Sequence, residues 1–248
     1  RLASEIPAHW TPMDADTRCA QITVSRSDDL ALWRLIEGRV QQSLPDFDLM
    51  GVERVQNKDL WRKYATFRAE LADQHGAGSA NERELFHYTS DAVRETIISS
   101  SERGFAPQVG GGEYGAGSYF AEHAVYPVAY GSGWLDADFT AERAGDPSIS
   151  LLWAKVALGN CKDFGARCRT PRGNAAAALA RVEPGLADWG PPIGRGGEGT
   201  YRIPPAGYTS VTGTEGDLAW AKNPRLRDNG SSYGRQYVTF ESWPAYPQ

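Results

Sequence analysis

Two short segments carry the residues best suited to chemistry. Leu85 to Ser90 (LFHYTS) reads as a buried strand ending in an imidazole, and Gly115 to Ala121 (GAGSYFA) as a glycine-rich turn running straight into an aromatic strand. His87 and Tyr119 stand 32 positions apart. A His-x-Thr group at a strand end, facing Gly-x-Gly-x-Tyr on another strand, offers several binding parts at once. An imidazole and a hydroxyl suit sugar hydroxyls, an exposed backbone edge suits a carboxamide, and an aromatic face suits a flat cationic ring. The glycines allow close approach to the backbone. Either segment alone is a weak signal.

The elements that must position these groups follow from hydrophobic periodicity. Cys19 to Ser25 alternates as a short strand, and Leu32, Ile36, Val40 and Leu44 at i, i+4 spacing predict a helix over roughly 28–44, started by Asp28 and Asp29 and ended by Pro45. Leu49 to Val55 reads as a strand, Asn57 as a helix cap, and Leu60, Tyr64, Phe67 and Leu71 as the buried stripe of the helix it starts. A strand at 84–88 precedes a helix at about 91–101 capped by Ser90, then a Gly110 to Gly112 loop, a strand at Ser118 to Ala121 and a helical turn to about Tyr130. Ser150 to Leu158 is an almost continuous apolar run, as a central buried strand requires. The Gly- and Pro-rich stretch 160–207 reads as one long loop, and Val211 and Tyr233 to Phe240 supply closing strands. Without a regular βαβ alternation, the class expected is α+β.

Composition removes several functions. At 248 residues the chain suits one large domain or two small ones, and its 31 Asp+Glu against 26 Lys+Arg argue against a general nucleic-acid binder. The basic stretches Arg167 to Arg172 and Lys222 to Arg227 read as solvated loops. Cys19, Cys161 and Cys168 form an odd set without CxxC spacing, so a disulfide framework or zinc site is not expected and an intracellular setting, cytoplasmic or nuclear, is. Four histidines cannot easily build a His-rich metal centre. No apolar run approaches the roughly 18 residues of a membrane span. Asn229-Gly230-Ser231 reads as a turn rather than a glycosylation acceptor. Gly194 to Gly199 matches GxGxxG by letter, but Pro191 and Pro192 stand where a strand is needed and Ile203-Pro204-Pro205 where a helix is needed. There is no HExxH, Walker loop or GxSxG. The chain opens on Arg1, as expected of a segment of something longer.

The two segments resemble the nucleotide-gripping motifs of the poly-ADP-ribose polymerase (PARP) family, and Arg235 to Glu241 (RQYVTFE) occupies the place of its third motif. Trp10 to Asp14, Val52 to Asn57, Leu60 to Tyr64, Asn81 to Arg83, Ala154 to Val156 and Tyr246-Pro247 are similar to the mono-ADP-ribosylating members. The likeness covers most of the chain except roughly 131–149 and 160–205. It implies one catalytic domain over 1–248, with split mixed or antiparallel β-sheets flanked by helices, and NAD as substrate without a metal. It assigns His87 to the adenosine ribose with Thr89 beside it, and the backbone of Tyr88 to the nicotinamide carboxamide. Tyr119, reached through Gly117, would stack on the nicotinamide, Tyr130 would close the sandwich, and Gln236 would lie beside the 2′-hydroxyl of the nicotinamide ribose. His87, Tyr119 and Gln236 are thus the expected catalytic set.

Three departures from the family pattern shape the expected activity. Tyr88 replaces a glycine, and its backbone contact survives only at negative φ. Pro127 stands where a serine usually bonds the carboxamide. Gln236 replaces a Glu or an apolar residue; it can hydrogen-bond but cannot act as a base. Transfer of one ADP-ribose to an acceptor macromolecule is therefore expected, a protein first and nucleic acid as the alternative. NAD or ADP-ribose binding without turnover, and NAD hydrolysis, are the competing outcomes.

Overall fold

The computed structural model describes residues 6–76, 78–107, 114–131, 149–167, 204–215 and 233–248. Its organising element is a mixed seven-stranded sheet. In chain order the strands and helices are β1 (Cys19–Thr23), α1 (Leu30–Gln41), β2 (Glu53–Asn57), α2 (Lys58–His75), β3 (Glu82–His87), α3 (Asp91–Ser99), β4 (Ser118–Ala121), α4 (Val125–Gly131), β5 (Leu152–Ala157), β6 (Cys161–Arg167), β7 (Ser210–Glu215), β8 (Arg235–Thr239) and β9 (Ala245–Pro247). β1 and β2 pair antiparallel by themselves, and the large sheet runs β6-β7-β8-β4-β3-β5-β9. Among the described residues only β6 and β7 are parallel there. The α+β class holds.

The split lies between β3 and β4. β3 pairs with β5 along all six of its residues but with β4 at one register position, Phe86 opposite Ala121. Two half-sheets, β6-β7-β8-β4 and β3-β5-β9, therefore meet at a narrow seam. The far end of β3 is firmly tied. The Tyr64 hydroxyl of α2 donates to the Glu82 carboxylate, which also meets Arg68 at 3.0 Å and Lys155 at 3.6 Å. Burial alone would raise the Glu82 pKa; the bonds from Tyr64 and Arg68 and the charges of Lys155 and Arg68 outweigh it and hold the carboxyl below its usual value.

Local signals act largely as read. The Asp29 carboxylate accepts from Leu32 N at 3.0 Å at the head of α1. The Asn57 side chain accepts from the backbones of Asp59 and Leu60 and starts α2, while Leu60, Tyr64 and Leu71 of the expected stripe are buried and Phe67 is half-buried. Each apolar side chain so buried contributes roughly 1.5–3 kcal/mol.

Four expectations are corrected. Trp33, whose indole donates to Val24 O at 2.8 Å, is the buried residue of α1, and the expected stripe lies half-buried beside it apart from Leu44 beyond the helix end. β2 runs Glu53–Asn57 and not from Leu49. Ser90 stands at the N-cap of α3 without a side-chain bond. The stretch 160–207 begins as β6, whose polar Cys-Lys-Asp start hid a strand paired with β7. Its residues 168–203, Cys168 and the Gly194 to Gly199 match included, lie outside the described residues, as do Gly110 to Gly112, Lys222 to Arg227 and Asn229 to Ser231. Among the described residues no helix is long and apolar enough to cross a membrane.

Candidate functional site

His87 closes β3 at the seam. Leu85 and Phe86 bury on opposite faces of the sheet, in separate core clusters, and this fixes the strand up to His87. Continuing the register from Phe86 and Ala121 would set residue 88 opposite Tyr119, but the ladder stops. The Tyr119 carbonyl instead meets His87 Nδ1 at 2.8 Å. A carbonyl only accepts, so Nδ1 carries the proton and the neutral ring keeps Nε2 as an acceptor. Burial pushes the imidazole pKa below its usual 6.5, and the bond to Tyr119 offsets only part of that. The ring packs on Phe105 and Phe120, at 5.2 and 5.5 Å between centroids. It is a neutral, oriented acceptor.

Tyr88 and Thr89 bridge β3 to α3 and are half-buried. Among the described residues Asn81 is the one non-glycine at positive φ, so Tyr88 meets the condition its replacement of glycine imposed.

Tyr119 is held from its own turn. Its hydroxyl donates to Gly115 O at 2.8 Å and accepts from Tyr114 N at 2.9 Å. Gly115 turns the chain at φ 98°. Gly117 earns its place by packing: a Cβ there would run into the Thr239 carbonyl and the Val238 side chain of β8. Along β4 and β8, Tyr119 lies opposite Val238 and Ala121 opposite Gln236, so by strand alternation Tyr119 and Gln236 share one face. Phe120, and with it the His87 ring, belongs to the other. The structure brings His87, Tyr119 and Gln236 onto three neighbouring strands, joined through the Tyr119 carbonyl rather than ring to ring.

Gln236 is 6% exposed. Its register neighbours are small, Ala121 on β4 and Gly213 on β7, and the Tyr114 ring fills the space where Gly213 would carry a Cβ. Its Nε2 donates to the Tyr126 hydroxyl at 2.7 Å, and its backbone carbonyl accepts from Thr212 Oγ1 at 2.7 Å. Tyr126 comes from the first turn of α4 and was missed in the sequence. One signal could have found it: a buried strand glutamine requires a hydrogen-bond partner. Pro127, next along, costs the helix nothing because its missing N–H falls in the first turn, and it brings no hydroxyl. Tyr130 lies in the last turn of α4, and its side chain falls outside the described residues.

The family model of the poly(ADP-ribose) polymerase catalytic domain matches residues 33–175, a span that includes His87 and Tyr119 and stops short of Gln236. The chain belongs to that family. It is 31% identical over 128 residues to the mono-ADP-ribosyltransferase PARP12 of Mus musculus, covering 50% of this chain and 17% of that protein. To PARP12 of Homo sapiens it is 33% identical over 128 residues, covering 50% of this chain and 18% of the relative. To the human mono-ADP-ribosyltransferase PARP14 it is 30% identical over 125 residues, covering 49% of this chain and 7% of the relative. The matched part thus spans less than a fifth of these relatives.

Proposed function

We propose that this domain transfers a single ADP-ribose unit from NAD to an acceptor macromolecule and releases nicotinamide. The observation that carries the reading is the broken ladder at the seam: residue 88 leaves the sheet just where a neutral His87 is fixed to the Tyr119 carbonyl. There the residue-88 backbone supplies a donor and an acceptor for the carboxamide, His87 Nε2 an acceptor for a ribose hydroxyl, and Tyr119 an aromatic face for the nicotinamide.

In the reaction the bond from C1′ of the ribose to the nicotinamide nitrogen breaks through an oxocarbenium-like state. Nicotinamide leaves with the electron pair. The acceptor nucleophile bonds to C1′ and gives up its proton. Gln236 hydrogen-bonds the ribose but takes no proton, so a hydroxyl acceptor receives no base from the domain and elongation to polymer is disfavoured. An acceptor already nucleophilic, or bringing its own carboxylate, reacts; a protein fits this best. The mono-ADP-ribosyltransferase names of the relatives point the same way. The proposal keeps residues 1–248 as one catalytic domain and an intracellular setting, in which the free thiols Cys19 and Cys161 stay reduced.

A second reading, binding of NAD or ADP-ribose without turnover, draws on Pro127, which removes a carboxamide anchor, and on Tyr88 in place of a glycine. Water as acceptor is the third. Incubation with NAD labelled in the adenylate and nicotinamide parts separates them. Labelled protein supports transfer, free nicotinamide without labelled protein means hydrolysis, and binding with neither product overturns the enzyme reading.

A further inference from the structure

A primary amide has a donor end and an acceptor end, and a site that uses one must fix which end it shows. Among the described residues the Gln236 amide bonds to one side chain, Tyr126, through Nε2 at 2.7 Å. Its register neighbours Ala121 and Gly213 carry no polar side-chain atom. Because the amide is planar, a bond that takes Nε2 turns Oε1 to the opposite edge. Tyr126 itself is 5% exposed and belongs to one buried cluster with Ala124, Val125 and Val128 of its own segment and Phe86 of β3, so its ring holds the hydroxyl oxygen in place beside Nε2.

We propose that Tyr126 is a positioning residue that sets Gln236 to present Oε1, an acceptor, to the substrate. The inference rests on the NAD reading above and sharpens it. The group recognised is a hydroxyl that donates, the 2′-hydroxyl of the nicotinamide ribose. Gln236 then does half the work of a carboxylate: it accepts the hydroxyl's hydrogen bond and leaves its proton in place. Without the Tyr126 hydroxyl the amide can rotate and offer NH2, and recognition of the hydroxyl is lost while the pocket keeps its shape.

The test compares two probes in calorimetry, NAD and the NAD analogue lacking the 2′-hydroxyl on the nicotinamide ribose. Their affinity ratio cancels general damage to the pocket, which a merely structural role would cause equally for both. The unmodified protein should prefer NAD by roughly 2- to 10-fold, the worth of one neutral hydrogen bond. Tyr126→Phe, which keeps the ring, should bind both equally. An undiminished preference in Tyr126→Phe overturns the role of Tyr126 and leaves the NAD site standing. Equal binding by the unmodified protein overturns the acceptor role of Gln236. Binding of neither probe by the unmodified protein overturns the NAD reading, and this inference with it. Should Tyr126→Phe fail to fold, NMR of the unmodified protein decides: the Gln236 Nε2 protons should exchange slowly with solvent, and fast exchange of both refutes the bond.

Discussion

Replacing Gln236 by Glu tests the division of labour at the seam. The two side chains are nearly isosteric, and Ala121 and Gly213 on either side leave the volume unchanged, so the strand need not repack. The charge is what changes. The amide is only 6% exposed, so the introduced carboxylate loses most of its water and its pKa should rise above the ordinary Glu value of about 4.3. The Tyr126 hydroxyl, which accepts from the amide, can turn and donate to the carboxylate. A charge-assisted bond of that kind contributes roughly 1.5–3 kcal/mol and offsets part of the burial cost. For an acid with a raised folded pKa, stability is full below the unfolded value and falls as pH climbs through the folded one. The variant should therefore be least stable at alkaline pH. Its activity should run the other way, because only the ionised form draws a proton from the acceptor, and one positioned base is worth about 10²–10⁴-fold. Nicotinamide release from labelled NAD, followed from pH 5 to 8 beside thermal melts, reads both curves. No gain at any pH with NAD binding intact would refute the assignment of Gln236 to the ribose side of the site. Long polymer from the unmodified protein would refute it as well.

Three further outcomes follow from the same geometry. Tyr119→Ala should weaken NAD binding through loss of a stacking face worth roughly 0.5–1.5 kcal/mol, and equal affinity by calorimetry would mean that Tyr119 does not line the site. Gly117→Ala should destabilise by about 1–3 kcal/mol, because its Cβ meets the Thr239 carbonyl and Val238, and should lower the melting temperature by several degrees; an unchanged melt would refute the close approach of β4 to β8. Burial holds the His87 pKa below 6.5, so the native state resists protonation there. Stability and NAD affinity should be level above pH 6.5 and fall as pH drops below it, since protonation costs the native state and removes the Nε2 acceptor. His9 and His123 shift in the same direction, burial being the first cause for each, so the His87 share is the part of the affinity loss that His87→Gln abolishes.

The order of the three site strands was legible because each announces itself locally. Leu85-Phe86 before His87, the glycines before Tyr119, and the apolar residues around Gln236 follow from burial and turn chemistry over a few residues. Asn57 was equally plain, since a capping side chain needs only its own helix. What escaped depends on residues far apart in sequence. That His87 grips Tyr119 through a backbone carbonyl follows from a ladder that stops after one register position, and no local pattern encodes that register. Tyr126 looked like any aromatic in a helical turn until its hydroxyl was found on the Gln236 amide of β8. The Gly117 assignment illustrates the converse: a residue expected to admit a ligand is required by the neighbouring strand. β9 went unread because its three residues follow Trp243-Pro244 in an irregular tail, and pairing with β5 alone makes them a strand. Trp33 displaced the aliphatic stripe of α1 because one indole, bonded to Val24 O, fills the space beneath the helix.

If NAD is held across the broken ladder between β3 and β4, the structure of the protein with an unreactive NAD analogue will show it there. The carboxamide should lie on the backbone of residue 88, the nicotinamide against Tyr119, one ribose hydroxyl on His87 Nε2 and another on Gln236 Oε1. An analogue bound elsewhere, or a ribose facing away from Gln236 with its hydroxyls in solvent, would contradict it.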